Sequence, residues 1–265
     1  MFALRRTSGV SSLLSSPWFV RHGQAERPAL RLFCFPYAGG NASTYAEWAS
    51  RMPGNVDIIA VQLPGRATRL REPAHTDMTR LVAELKSEVL PLLDIPYVTF
   101  GYSLGSRIAF ELVRQLQNTG GPEPRLFIAA ASRAPHLPSR MLPTYHLPDD
   151  LFLAKLAALN GTPREVLENS QIMQLLLPTL KADFRVADTY QPPGTVLGCP
   201  LAVLAGLDDR EVNYPDLLAW RELTLQFVGL DYLAGDHFFI NQCGTLLADK
   251  VSQLLHENAL QRTTA

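Results

Sequence analysis

Apolar residues fall along this chain in short unbroken runs, separated by longer stretches with helical spacing. The runs at residues 32–35, 56–61, 98–100, 126–130, 201–204 and 226–232 carry the aliphatic and aromatic content expected of strands. Helices are predicted at 42–50, 77–93, 104–117, 215–222 and 244–257. In the second of these, Leu81, Leu85, Glu88, Val89 and Leu92 fall on one face at helical spacing. Strands alternating with helices imply an α/β fold, with a mainly parallel central sheet flanked by helices on both faces. No internal repeat is visible.

The alternation breaks between Ser132 and Pro193, where every signal is helical or proline-rich. Asp149 or Asp150 can cap a helix that runs to Leu159 and stops at Asn160-Gly161. Thr162-Pro-Arg-Glu reads as a capping box with Pro163 at the first helical position. A third helix starts near Ser170, with Pro178 expected either to kink it or to begin another. The expected organisation is therefore a core of residues 17–131 and 194–258 and a helical insertion of 132–193. Residues 1–16 are expected to form a disordered extension. The serines and arginines of 1–25, with no acid before Glu26, weakly resemble a transit peptide.

Chemistry enters at Gly101-Tyr-Ser-Leu-Gly, which joins an apolar strand run to a strong helical pattern. A strand, a sharp turn with serine at its apex and a helix make the nucleophile elbow of α/β-hydrolases. Gly-x-Ser-x-Gly alone is weak evidence, since a chain this long meets it by chance about one time in ten. Ser103 could equally be an ordinary helix N-cap. A serine nucleophile needs a base, and the base an orienting carboxylate, in the chain order Ser, Asp, His for this fold. Both are supplied late, just past strand ends, where open α/β sheets bind ligands. The run from Pro200 ends in Gly206-Leu-Asp-Asp-Arg-Glu-Val, and Gly235-Asp-His-Phe-Phe follows the last strand. The expected assignment is Ser103 nucleophile, His237 general base and Asp209 orienter. Asp208 competes with Asp209, which is favoured by the Gly-x-x-Asp-x-x-Val spacing. Asp236 reads as a turn residue directed away from its histidine neighbour. The Gly-rich loop Phe35-Pro-Tyr-Ala-Gly-Gly lacks the ending of a phosphate loop. In this fold it supplies a backbone donor to the oxyanion, so the N–H groups of Ala38 and Leu104 are the expected oxyanion hole.

Composition narrows the field. The chain has 265 residues, with 47% hydrophobic and 18% charged, enough for one large domain with an insertion. A net charge of −1 gives no electrostatic case for nucleic acid. The odd count of three cysteines, Cys34, Cys199 and Cys243, argues against a disulfide framework and for a reducing, cytoplasmic setting. Cys34 and Cys199 are expected to be small buried fillers. No apolar run approaches the ~20 residues of a membrane span.

Five motifs in order, Phe35-Pro-Tyr-Ala-Gly-Gly, Gln62-Leu-Pro-Gly-Arg, Gly101-Tyr-Ser-Leu-Gly, Ala182-Asp-Phe and Gly235-Asp-His-Phe-Phe, closely resemble the type II thioesterases. These are free-standing α/β-hydrolases that work beside nonribosomal peptide and polyketide synthases. Pro17-Trp-Phe-Val and Leu218-Ala-Trp-Arg extend the resemblance over nearly the whole chain, from about Pro17 to Leu255. One departure is Ala67, where the family often has a polar or acidic residue. The resemblance implies a substrate that is an acyl or aminoacyl thioester on the phosphopantetheine arm of a carrier domain, and removal of mispriming or stalled groups. It implies no cofactor beyond the arm the carrier brings, a lid role for the insertion and a carrier docked near it. A monomer is expected. The alternatives are a medium-chain fatty-acyl thioesterase or general carboxylesterase, and a non-catalytic protein that binds acyl carriers.

Overall fold

The computed structural model describes residues 16–23, 25–139 and 142–260. Apart from Ser16, the expected N-terminal extension lies outside them. Seven strands form one sheet: β1 (Phe19–His22), β2 (Leu30–Phe35), β3 (Val56–Val61), β4 (Tyr97–Tyr102), β5 (Leu126–Ala130), β6 (Leu197–Gly206) and β7 (Thr224–Leu233). Their order is β1-β3-β2-β4-β5-β6-β7, with β1 antiparallel to β3 and every other pair parallel.

Period-two alternation sorts the strand side chains into two cores. Phe33 and Phe35 of β2, Tyr97 of β4 and Phe127 and Ala129 of β5 face one side. They pack there with Leu81, Leu85 and Val89 of α1 (Met78–Val89) and Ile108, Leu112 and Leu116 of α2 (Leu104–Gln117). Leu30, Leu32 and Cys34, then Val98, Phe100 and Tyr102, then Leu126, Ile128 and Ala130 face the other side. Burial on both faces is why these strands read as near-continuous apolar runs rather than alternating ones.

Where local structure differs from expectation, a physical cause is at hand. β1 was not among the expected strands. It is four residues long and half polar, and its Arg21 pairs with the buried Asp57 of β3 at 2.5 Å, so it shows no apolar run. Residues Ala42–Ser50 form 3₁₀ rather than α-helix, and the buried Ala42, Tyr45 and Trp48 recur every third residue, which is the 3₁₀ period. The helix expected at 77–93 is α1 followed by a 3₁₀ turn at Leu90–Leu92. The one expected at 215–222 is α6 (Tyr214–Leu218) followed by a 3₁₀ turn at Ala219–Leu223.

The insertion contributes α3 (Asp149–Leu159), α4 (Arg164–Leu167) and α5 (Ser170–Thr189). Asn160 ends α3 in the left-handed conformation, as its Asn-Gly signal predicts. Thr162 forms no capping box, because Pro163 itself is extended at the N-cap and the helix begins one residue later. Pro178 neither ends α5 nor starts a new helix; it lies inside a single helix of 20 residues. The insertion has its own small core of Phe152, Leu156, Met173, Leu177 and Leu180. The last helices are α7 (Phe239–Gln242) and α8 (Gly244–Leu255).

Candidate active site

The turn between β4 and α2 holds Ser103 at φ 52° and ψ −113°, a backbone conformation that costs a non-glycine residue about 1–3 kcal/mol. Two glycines make the turn possible. A Cβ on Gly105 would lie 2.1 Å from the Phe35 carbonyl oxygen, and one on Gly101 2.4 Å from the Ser106 Cα. The backbone can therefore close tightly only without side chains there, and the serine is lifted to the carboxyl edge of the sheet. Although Ser103 occupies the N-cap position of α2, its side chain makes no cap hydrogen bond. Its Oγ instead lies 3.1 Å from His237 Nε2.

His237 sits in the loop after β7, and its Nδ1 is 2.9 Å from Asp209 Oδ2. A carboxylate can only accept, so Nδ1 carries the proton and Nε2 is left to accept from the serine hydroxyl. Asp209 follows β6 and is held by its own turn, its Oδ1 accepting from the N–H groups of Glu211 at 2.8 Å and Val212 at 3.3 Å. Its side chain is 1% exposed, while Asp208 is exposed and lies off the chain of hydrogen bonds. The structure thus brings Ser103, Asp209 and His237 together. Asp236 forms the turn, accepting from the Phe238 N–H at 2.8 Å and from Asn160 Nδ2 of the insertion at 3.1 Å. Burial opposes its charge, but these donors, Gln242 and His237 outweigh burial and hold its carboxyl below the ordinary value. His22, His75 and His136 lie elsewhere, against Ala42, Glu84 and Glu222 respectively.

Two residues that fall within the quoted motifs support the site through partners that the sequence did not reveal. Tyr102 immediately precedes the serine; its hydroxyl donates to the His237 carbonyl at 2.8 Å and accepts from the Ile240 N–H at 3.2 Å. Burial pushes its phenol well above the usual value, so it remains a donor. Asp183 of α5 joins three of the sequence motifs. Its carboxylate takes a bidentate pair from Arg66 at 2.6 and 2.7 Å and the Gly39 N–H at 2.7 Å, with both ion-pair side chains 5% exposed. Arg69 pairs with Glu72 at 2.5 Å, so both arginines flanking Ala67 have carboxylate partners. Asp183→Ala leaves the Arg66 charge buried without its acid. The expected loss is about 3–5 kcal/mol of stability, read by urea unfolding. A loss under ~1 kcal/mol would show that the pair does not anchor α5.

Ala38 and Leu104 line the same pocket as Ser103 and His237. Leu104 opens α2, so its N–H has no partner within the helix. In the Gly-rich loop the next two N–H groups are committed, Gly39 to Asp183 and Gly40 to the Tyr37 carbonyl. The cavity is about 200 Å³ and is roofed by Leu156, Leu159, Gly161, Leu180 and Phe184 of the insertion. Among the described residues no cluster of His, Cys, Asp or Glu could hold a metal ion, and no helix is long and apolar enough to cross a membrane. Cys34 and Cys199 are buried free thiols, as expected.

A largely parallel sheet with this elbow at its centre and helices on both faces is the α/β-hydrolase architecture. Residues 30–256 match the thioesterase domain family, and the chain belongs to it. It is 40% identical over 230 residues to the linear gramicidin dehydrogenase LgrE of Brevibacillus parabrevis, covering 85% of this chain and 88% of that protein. It is 38% identical over 224 residues to the gramicidin S biosynthesis protein GrsT of Aneurinibacillus migulanus, covering 84% and 88%. The type II thioesterase BorB from the borrelidin biosynthetic cluster superposes with a TM-score of 0.79 at 31% identity, over 90% of this chain and 97% of BorB.

Proposed function

We propose that this chain is a type II thioesterase that hydrolyses acyl or aminoacyl thioesters on the phosphopantetheine arm of carrier domains, clearing mispriming or stalled groups from a nonribosomal peptide or polyketide synthase. The observation that carries the reading is the Ser103–His237–Asp209 hydrogen-bonded chain at a pocket, in a member of the thioesterase family. Ser103 Oγ attacks the thioester carbonyl carbon as His237 Nε2 takes its proton. The N–H groups of Ala38 and Leu104 receive the developing oxyanion, each donor contributing about 3–4 kcal/mol. The C–S bond then breaks. A thiol of pKa near 8.5 is a good leaving group, and His237 returns the proton to it. Water next attacks the acyl-serine, gives a proton to His237 and releases the acid; the proton returns to Ser103. The reaction as proposed uses no metal or redox cofactor, and the phosphopantetheine arrives with its carrier. The insertion acts as the lid beneath which the arm enters.

The likeness to proteins of gramicidin S and borrelidin biosynthesis favours this reading over the medium-chain fatty-acyl alternative. The name of the Brevibacillus relative would suggest a dehydrogenase. The strand–helix turn here, Gly101-Tyr-Ser-Leu-Gly, is not the Gly-x-Gly-x-x-Gly that a dinucleotide requires. Incubating the protein with an acetyl-loaded carrier and reading its intact mass tests the proposal. Free holo-carrier is the expected product. An unchanged acetyl-carrier beside rapid turnover of an aryl ester would move the assignment to a small-molecule esterase.

A further inference from the structure

Arg107 lies in the first turn of α2, four residues beyond Ser103, and both residues line one pocket. It is half-buried and lines the pocket that holds Ser103 and His237. A guanidinium in such a place needs compensation. Among the described residues no carboxylate lies within 4.0 Å of it, its Nη1 donates to the Ala187 carbonyl at 2.6 Å, and its buried Nε has no acceptor. Burial, and the neighbouring Arg133 charge, lower its pKa to about 10, with Asp188 pulling the other way; it is still a cation at neutral pH. The Ala187 contact is a cation on the last turn of α5, a sufficient reason for one N–H but not for a charged fork with donors to spare beside the nucleophile.

We propose that Arg107 is a specificity-determining residue of the acyl pocket, selecting acyl groups that carry a second oxygen acceptor, a carbonyl or carboxylate beyond the thioester carbon, over saturated chains of the same length. The inference rests on the thioesterase reading above and names the substrate class within it. Once the acyl group is on Ser103, its chain runs along the cavity that Arg107 lines. A carbonyl or carboxylate oxygen there can accept from the guanidinium. A saturated chain offers the guanidinium no acceptor, and so the oxygenated acyl group is favoured over it. Arg133 lines the same pocket, its Nη1 donating to the Leu137 carbonyl, and so do Asp188, Glu211 and Asp216.

The test compares kcat/KM for carriers loaded with acetoacetyl, malonyl and butyryl groups, with the wild-type protein, Arg107→Met and Arg107→Lys. Methionine keeps much of the stem's packing and removes the donors. The wild type is expected to prefer acetoacetyl or malonyl over butyryl by roughly 10- to 100-fold, the worth of a hydrogen bond to a charged group. Arg107→Met should bring that ratio to about one, chiefly by losing the oxygenated substrates, and Arg107→Lys should fall between. Acetoacetyl against malonyl separates a carbonyl preference from a carboxylate one. A wild-type ratio near one overturns the proposal. So does an Arg107→Met variant that loses the same factor on every substrate, which is what a role limited to holding the end of α5 would give. If the wild type acts on no loaded carrier, the carrier reading fails, and the same ratios on N-acetylcysteamine thioesters of the three acids decide the role of Arg107.

Discussion

Ser103→Ala is expected to lower kcat on an acetyl-loaded carrier by about 10⁴-fold or more, with carrier binding retained. Alanine removes the hydroxyl that is hydrogen-bonded to His237 Nε2 and held at the carboxyl edge of the sheet by a strained elbow. No covalent acyl-enzyme can then form, and what remains is the catalysis that oxyanion donors and positioning give to water. Among the described residues the hydroxyl's hydrogen-bond partner is the histidine, so thermal unfolding should move little. A variant that kept a tenth of wild-type activity would assign the chemistry to another group. Intact mass after brief exposure to substrate supplies an independent check, since the acyl adduct should appear on the wild-type chain and be missing from the alanine variant.

Asp209→Asn carries the second large effect. The carboxylate accepts from His237 Nδ1, which keeps the proton on that nitrogen and, in the proposed reaction, would stabilise the imidazolium. An asparagine can present its NH₂ to Nδ1 and so favour the other tautomer, with the ring proton directed at Ser103. The expected loss in kcat is about 10⁴-fold. Asp208→Asn, one residue away, should stay within about threefold, because that side chain is exposed and its backbone N–H, not its carboxylate, makes the bond to Gly235. The reverse order of effects would exchange the two acids. Measuring both variants on one carrier substrate, with unfolding curves alongside, separates a lost base from a lost fold.

Ser103, Asp209 and His237 were legible because each lies in a turn at a strand end whose local spacing is itself the signal. Long-range support was not. The Tyr102 side chain sits inside the serine motif, yet its partner is a carbonyl 135 residues away, and nothing local marks it. The motif around Asp183 was visible as a resemblance, but not its pairing with Arg66 across 117 residues. Arg107 was silent for a different reason: a cation in the first turns of an amphipathic helix normally faces water, and only the roof laid by α5 and its neighbours turns that position inward. Element boundaries went astray where the period changed within one helix. Thus 42–50 repeats every three residues, and 77–93 and 214–223 each pass from α to 3₁₀ geometry. The strand β1 escaped because only pairing with β3, and the ion pair between Arg21 and Asp57, gives its polar positions a place in the sheet.

The ion pair of Asp183 also divides the insertion mechanically. On one side of it, α5 is a post: the Arg66 fork, the Gly39 N–H and the bond from Thr179 Oγ1 to the Gly65 carbonyl at 2.8 Å all tie it to the body. On the other side, the α3–α4 hairpin meets the edge of the site through the Asn160–Asp236 hydrogen bond, the partly exposed Lys155–Glu211 pair at 3.4 Å and Gly161 against the Phe238 ring, and it packs on α5 through Phe152 and Leu156. Breaking an exposed neutral-to-charged hydrogen bond costs far less than unseating a buried bidentate pair. The firmest ties between the insertion and the body therefore run through α5, and the weaker ones through the α3–α4 hairpin.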